Sequence, residues 1–219
     1  MLPIFETKKK ASIFPAITRE VITREADTRR APRGNYNRDG IQAKDRSYAC
    51  EEFGLEGPLD DSERSLYATD FDAELTTVQI VTRRVLQGQE RRIAAKIFNP
   101  AVFTGAALYT DYSGAPWDNA STDVVAQVRA TREKVRQNTG MDPRTLICSK
   151  ANIDRLLANN GVKDAIKYVA RLTEAEILNA LADILGIKEI VVGKGIYNSA
   201  KEGKPFASAD IWNDDYAMV

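Results

Sequence analysis

Histidine is absent from the 219 residues of this chain, and only two cysteines are present, Cys50 and Cys148. Without histidine the chain cannot build a Ser-His-Asp or Cys-His nucleophilic centre, and the commonest zinc ligands are missing. The two cysteines lie far apart in sequence, which is typical of a reducing compartment rather than of a disulfide framework. We therefore expect no enzymatic activity, no catalytic residue, no cofactor and no bound metal.

Long apolar runs are also missing. No stretch of about 18 consecutive apolar residues occurs, so we expect neither a membrane-spanning helix nor a membrane partner. The leading residues lack an apolar segment behind their basic ones, which argues against a secretory signal. With 43% hydrophobic and 28% charged residues, the chain has enough apolar side chains for a substantial core.

The charge is zero in total but unevenly placed. Residues 1–46 carry 11 Lys or Arg and 6 Asp or Glu, a net charge of +5, which leaves −5 on residues 47–219. Such a basic segment contacts either nucleic acid or the acidic body of a neighbouring copy. The second interpretation is favoured because acidic residues such as Glu20 and Glu25 are mixed into the basic segment, and no arginine-rich block occurs.

The first 58 residues predict an arm followed by a hairpin. Residues 1–46 have no steady period, but they contain too many apolar side chains for a solvated linker: Ile4, Phe5, Ile13, Phe14, Ile17, Val21 and Ile22. An extended arm docked on a protein surface fits this composition. Residues 33–58 predict a long two-stranded hairpin that closes near residues 37–40, with Tyr48 and Phe53 on its second limb. Because an isolated hairpin is marginally stable in water, this one needs a partner surface.

A long helix is predicted next. The 37 residues from Ser62 to Phe98 contain no proline, and Asp60 followed by Glu63 resembles a capping box. Apolar residues recur at helical spacing along one face, at Phe71, Leu75, Val78, Thr82 and Val85, and the pattern then fails at Gln89 and Arg92. We expect a single helix, with two helices broken near Gly88 as the alternative.

After residue 120 the pattern alternates between helix and strand, which predicts a compact α/β unit. Expected helices run from residues 121–123 to Gly140, from a Ser149 cap to Gly161, weakly over residues 162–170, and from a Thr173–Glu176 capping box to Gly186. Expected strands cover residues 145–148 and 187–192, followed by hairpin strands at 196–197 and 209–212 and a turn at 213–215.

Four features of this part invite a chemical interpretation, and each has a simpler one. Residues 193–195, Gly-Lys-Gly, lack the spacing of a phosphate-binding loop and indicate a turn. Cys148 lies in an apolar strand, which favours a core residue. The acidic pairs at 60–61 and 214–215 suit a helix cap and a turn. The aromatic residues indicate core or interface anchors rather than stacking platforms: Trp117, Trp212, Tyr197 and Tyr216.

The order of arm, hairpin, long helix and helix-rich α/β unit resembles the major capsid proteins of tailed bacteriophages, which have the Hong Kong 97-like fold of the α+β class. Residues 117–219 carry the most specific part of the resemblance. After Trp117 they run through STDVVAQVRATREKVRQNTG, MDPRTLICSKANIDRLL, DAIKYV, TEAEILNALADILG, IKEIVVGKGIYNSA and ADIWNDDYAMV. Residues 47–98 are similar in character rather than in motif, and residues 1–46 only as an arm.

The resemblance implies a domain plan. Residues 1–32 would form the N-arm and 33–58 the extended loop, a hairpin that reaches a neighbour. Residues 59–120 would form the peripheral domain with its spine helix, and 121–219 mostly the axial domain. Two departures stand out. Asn213 occupies a position where such proteins often have glycine, and asparagine tolerates positive φ. Family members usually continue beyond the equivalent of Trp212, so we expect an incomplete chain or a shortened variant.

The resemblance also implies a role. The chain would be a structural subunit that self-assembles, through hexamers and pentamers, into the icosahedral head shell enclosing phage DNA. It would assemble in the host bacterial cytoplasm and end in the virion. Possible partners are scaffold, portal and decoration proteins, with packaged double-stranded DNA in weak non-specific contact. The expected inter-subunit contact residues are Tyr48, Phe53, Phe14, Arg29 and Arg30.

Three alternatives remain at this point. An encapsulin-like bacterial compartment shell would need the same extended elements. A small α/β enzyme or ligand-binding module could use residues 121–219 alone. A helical adaptor could be built on the long helix.

Overall fold

The computed structural model describes residues 6–167 and 173–219 and contains both helices and strands, so the chain is a mixed α and β protein. Its contacts divide it into two units, residues 1–54 and residues 55–219.

The first unit is a two-stranded antiparallel ribbon. β1 (Ala11–Ile17) pairs with β2 (Ala43–Ala49), with Ala11 opposite Ala49 and Ile17 opposite Ala43. A short helix, α1 (Arg19–Ile22), follows β1. The prediction that both strands of the hairpin lie within residues 33–58 is wrong, because β2 pairs with a segment of the predicted arm. Residues 33–42 are rich in turn-forming Gly, Asn and Asp, whereas β1 supplies the β-favouring residues.

The second unit begins with two helices, α2 (Asp61–Tyr67) and α3 (Ala73–Ile97). The single helix predicted over 62–98 is therefore wrong, and the alternative break near Gly88 does not occur either. The chain breaks at residues 68–72 because Asp72 starts a new helix: its side chain accepts a hydrogen bond from the Leu75 amide at 3.0 Å. The Asp60 side chain does not cap the backbone, and it accepts instead from the Ser62 hydroxyl at 2.8 Å.

Most of the remaining elements follow the predicted alternation of helix and strand, but the strand predicted over 209–212 ends at Asp210, and a final strand at residues 217–218 was not predicted. The helices are α4 (Val124–Thr139), α5 (Lys150–Ala158), α6 (Asn160–Ile166) and α7 (Glu174–Leu185). The strands are β3 (Thr145–Ser149), β4 (Glu189–Gly193), β5 (Ile196–Asn198), β6 (Ser208–Asp210) and β7 (Ala217–Met218). β3 lies between β4, to which it is parallel, and β7, to which it is antiparallel, while β5 and β6 form a separate antiparallel hairpin.

Local hydrogen bonds explain most of the helix boundaries. The predicted capping box of α7 is confirmed, since Thr173 and Glu176 bond reciprocally, and Gly140 and Gly186 end α4 and α7 at positive φ. The prediction that Gly161 closes α5 is wrong. The Asn159 side chain accepts from the Gly161 amide at 3.0 Å and begins α6 there. The last residues of the helical piece predicted over 162–170 lie outside the described part.

The core of the second unit lies between β3 and the helices around it. Its fully buried members are Leu146, Leu156, Leu181, Leu185, Val124, Val162, Asn159 and Cys148. Burying each large aliphatic side chain contributes about 1.5–3 kcal/mol. A second cluster, formed by Ala94, Phe98 and Trp212, joins the end of α3 to the chain before β7. These clusters give the second unit a core of its own.

Candidate interaction surfaces

The ribbon of the first unit exposes an apolar face. Side chains alternate along a strand, so the odd-numbered residues of β1 share one face. This face is called the ribbon's apolar face: Ala11, Ile13, Pro15 and Ile17 of β1, beside Ala43, Asp45, Ser47 and Ala49 of β2. All eight residues are exposed, and Ile13 and Ile17 are 67% and 54% accessible. Nothing in the ribbon itself covers these apolar side chains.

The opposite face of the ribbon is aromatic and basic. The rings of Phe14 and Tyr48 lie 6.2 Å apart, and Lys44 and Arg46 share their face. The Tyr48 hydroxyl is 2.6 Å from the hydroxyl of Thr7. The structure thus brings together two of the five residues predicted to contact a neighbour, Phe14 and Tyr48. A third, Phe53, lies after the end of β2 and is 53% exposed.

The two predicted contact arginines lie in the connection between β1 and β2. The Arg29 backbone amide donates to the Asp27 carboxylate at 2.9 Å. The Arg30 guanidinium donates to the Gly34 carbonyl at 2.7 Å, and it also stacks over the Tyr36 ring at 4.4 Å. Arg30 therefore helps to hold a local turn. Its predicted contact with a carboxylate of another copy stays a prediction.

The second unit exposes an apolar stripe that begins just before α3 and runs to about the middle of the helix. We call the exposed residues Phe71, Leu75, Val78 and Leu86 the α3 stripe; they are 46%, 54%, 57% and 58% accessible. The aromatic ring of Tyr67 stacks on Phe71 with centroids 5.1 Å apart and extends the stripe. On the other side of the helix Ala73 is buried and Gly57 lies against Thr77 and Val81, although Ile80 on that side is also 45% accessible.

The segment that contains the α3 stripe is acidic. Residues 55–86 carry seven Asp or Glu and three Arg, at positions 64, 83 and 84, which gives this segment a net charge of −4. Arg64 pairs with Glu74 at 3.3 Å, and both side chains are well exposed. The sequence analysis identified this segment only as part of residues 47–219, which carry a net charge of −5. The structure adds that the acidic segment also exposes a row of apolar side chains.

The second half of α3 packs against the α/β part. The Trp212 indole N–H donates to the Glu90 carboxylate at 2.7 Å, and the Phe98 ring meets Trp212 edge-on at 5.3 Å. A methyl group at Gly193 would overlap the Trp212 ring, and one at Gly195 would crowd Glu90. Sequence reasoning did not find Glu90. The apolar pattern of α3 fails at Gln89, and this failure could have indicated that the helix turns a different face, which includes Glu90, toward the α/β part.

The residues that invited a chemical interpretation have structural partners. Cys148 is completely buried, and burial raises the pKa of its thiol to about 12. Lys194 pairs with Glu174 at 3.0 Å, and Asp214 with Arg155 at 2.6 Å. Among residues 6–167 and 173–219, no cluster of three or more Cys, Asp or Glu side chains is placed to hold a metal ion.

The turn at residues 213–215 forms without positive φ at Asn213. The predicted turn is therefore confirmed, although Asn213 does not use the left-handed region: in the described part of the chain, Arg33 is the only residue other than glycine with positive φ. The Asn213 side chain instead accepts from the Asp215 amide at 2.9 Å, which closes the turn locally.

A cavity of about 710 Å³ lies between the loop over residues 99–118, α4 and β7. Aromatic side chains form part of its wall, and two of them are held by one residue of α4. Trp117 donates to the Gln127 side chain at 2.8 Å, and the Tyr112 hydroxyl donates to the Gln127 carbonyl at 3.2 Å. Trp117 is therefore an anchor for this loop, as its sequence position suggested.

Across the two described ranges, no helix combines the length and the apolar character needed to cross a bilayer.

Comparisons with known proteins give a likeness in structure alone. No family model matches the sequence, and no curated protein matches it. A crystal structure of a phage-related protein from Bordetella bronchiseptica superposes with a TM-score of 0.67 at 18% sequence identity. The match covers 97% of this chain and 67% of that protein. This chain therefore has the mixed α and β fold of that protein over nearly its whole length.

Proposed function

We propose that this chain is the major capsid subunit of a tailed bacteriophage, with the Hong Kong 97-like fold. It associates with other copies of itself into hexamers, pentamers and finally a closed icosahedral shell around the packaged DNA. The observation that carries the proposal is the presence of two separate exposed apolar surfaces, the ribbon's apolar face and the α3 stripe, on a chain with a core of its own.

The ribbon supports an assembling role because it lacks the means to be stable alone. Two antiparallel strands without a packed face are marginally stable in water. Ile13 and Ile17 project from the ribbon and stay mostly accessible. Contiguous exposed apolar side chains are typical of protein–protein interfaces. Burial on another copy would remove this surface from water and stabilise the ribbon at the same time.

The fold supports a viral origin for such a shell, because a phage-related protein has the same fold. The sequence identity between the two proteins supports a likeness in fold alone. The arm-like first unit, the long α3 and the α/β part follow one another in the order that the capsid resemblance implies. In this role the chain works in the virion after assembly in the bacterial cytoplasm, and scaffold, portal and decoration proteins are its further partners.

No catalytic step is needed for this role. Copies of the chain would be held together by non-covalent interactions: burial of apolar side chains, complementary charge and hydrogen bonds. The basic first unit would lie on acidic surfaces of adjacent copies, and packaged DNA would be held only by weak, non-specific contact. We accordingly propose that the chain is not an enzyme.

The test is direct observation of assembly. The protein is purified and followed by light scattering over a range of concentrations, and the same samples are imaged by electron microscopy. We expect hexamers, pentamers or closed particles at high concentration. A monodisperse monomer at every concentration would refute the proposal.

A further inference from the structure

We infer that Asp39 is a site of spontaneous backbone modification, at which its peptide bond to Gly40 isomerises to an isoaspartyl bond in the folded protein. The inference stands apart from the proposed shell function, because it depends only on the local structure of the connection between β1 and β2. It also names the comparable site that stays unmodified, the Asn-Gly pair at residues 160–161.

The sequence contains two dipeptides that are prone to this chemistry, Asp39-Gly40 and Asn160-Gly161. In both, the backbone nitrogen of the glycine can attack the side-chain carbonyl carbon before it, and glycine has no side chain to hinder the attack. In an unfolded chain the asparagine is the more reactive of the two, because an ionised carboxylate is a much poorer electrophile than an amide. The order of reactivity in the folded chain therefore depends on the structure.

The structure favours reaction at Asp39. Residues 35–42 form neither helix nor strand, and both Asp39 and Gly40 are exposed. The Gly40 backbone nitrogen donates a hydrogen bond to the Asp39 carboxylate oxygen Oδ1 at 2.9 Å. This contact holds the nucleophile beside the group with which it reacts, and such proximity lowers the barrier of an intramolecular reaction.

The reaction is a loss of water followed by an addition of water. The Gly40 nitrogen attacks Cγ of the protonated Asp39 carboxyl group, a bond forms between nitrogen and Cγ, and the carboxyl hydroxyl leaves with the amide proton as water. Solvent water then opens the resulting succinimide ring. Cleavage between nitrogen and Cγ restores aspartate, whereas cleavage between nitrogen and the main-chain carbonyl carbon gives isoaspartate.

The same ring closure is blocked at Asn160. This residue begins α6, and helical dihedral angles keep the next backbone nitrogen away from its side chain. The Gly161 amide donates to the Asn159 side chain at 3.0 Å, and the Asn160 amide donates to the Ala120 carbonyl at 2.9 Å. Val162 is fully buried. Because ring closure would unwind this turn and break its contacts, α6 must open before Asn160 reacts.

The modification marks the age of each copy of the chain. It leaves the mass unchanged, but it adds a methylene group to the main chain between β1 and β2 and moves the carboxylate from the side chain to the backbone. Residue 39 lies outside the paired residues of the ribbon, so we expect the ribbon's register to survive.

Peptide mapping of the aged protein tests the inference. The purified chain is kept at neutral pH, sampled over several weeks, digested and analysed by liquid chromatography with mass spectrometry. Aspartyl and isoaspartyl peptides differ in retention, and deamidation of Asn160 changes the mass. In the native protein we expect isoaspartate at residue 39 to accumulate faster than Asn160 deamidates. In urea the order should reverse, and Asn160 should deamidate at least about tenfold faster than in the native protein, because no opening step is then needed.

Two variants are the controls. Asp39→Glu should form almost no product, because the larger ring closes far more slowly. Gly40→Ala should react more slowly than the parent, because the added methyl group hinders the nitrogen. That methyl group would meet no atom of the described chain within 4 Å, so the variant should fold. The inference fails if Asn160 reacts faster than Asp39 in the native protein, if no isoaspartate forms at residue 39, or if Gly40→Ala forms it as fast as the parent.

Discussion

The Trp212 indole N–H donates to the Glu90 carboxylate at 2.7 Å, across a separation of 122 residues in sequence. This bond joins α3 to the chain that follows the β5–β6 hairpin, and Phe98 packs on the same indole. The second half of α3 is thereby fastened to the α/β part, while its first half keeps an exposed apolar stripe. One helix thus belongs to the core at one end and offers a surface at the other.

Trp212→Phe should destabilise the second unit. The substitution keeps an aromatic ring but removes the donor that satisfies Glu90, and hydrogen bonds to charged groups contribute about 1.5–3 kcal/mol. Urea unfolding measures the loss. Trp117→Phe is a matched control, because its donor serves the neutral Gln127 side chain, and it should cost less, about 0.5–1.5 kcal/mol. Equal losses in the two variants would contradict the assigned role of Glu90.

Gly193→Ala should also lower stability, by about 1–3 kcal/mol, because the added methyl group overlaps the Trp212 ring. The ring is wedged between Phe98 and the strand end and has little room to move. Gly114→Ala is the control, since its methyl group would meet nothing. Thermal unfolding of both variants checks the prediction, and a Gly193→Ala protein as stable as the parent would show that the indole can shift.

Thiol chemistry should distinguish the two cysteines. Cys148 is buried with a pKa raised to about 12, so at about pH 8 it is neutral and shielded, whereas Cys50 is exposed. An aromatic disulfide reagent should modify one thiol per native chain and both after denaturation. Cys50→Ser should abolish the native reaction. Rapid modification of Cys148 in the folded protein would mean that the core around β3 opens readily.

Phe53→Asp should impair assembly without unfolding the monomer. Phe53 follows the ribbon and is exposed, so a carboxylate there costs little in the free protein but is unfavourable in an apolar interface. We expect association at least about tenfold weaker, or about 1.4 kcal/mol, by light scattering or sedimentation. Phe53→Leu, which keeps an apolar side chain, should assemble nearly as well as the parent. Normal assembly of Phe53→Asp would remove Phe53 from the interface.

The stability contributed by Glu133 should depend on pH in a defined window. Hydrogen bonds from Arg136 first, and then from Gln137, lower the pKa of Glu133 from 4.5 to about 2. Because the pKa in the folded state is the lower one, the contribution is complete above pH 4.5 and is lost as the pH falls through about 2. The difference in urea stability between the parent and Glu133→Gln should shrink over this range. A difference that does not change between neutral pH and pH 2 would contradict the assigned ion pair.

Helix ends and short strands were predicted well because their causes are local. The Thr173–Glu176 capping box, the glycine stops at 140 and 186, and the apolar strand around Cys148 depend on residues only a few positions apart. Where a local signal misled, another local signal competed with it. Asp72 capped α3 in place of Asp60, and Asn159 began α6 before Gly161 could end α5.

The sequence by itself determined the alternation of helix and strand, the absence of histidine chemistry and the opposite charges of the two parts of the chain. Only the tertiary structure decided that β2 pairs with β1 and that Glu90 meets Trp212. It also decided that the apolar row on α3 faces outward over its first half. The physical reason is that periodicity shows which residues share a face, whereas the partner of that face depends on packing between segments distant in sequence.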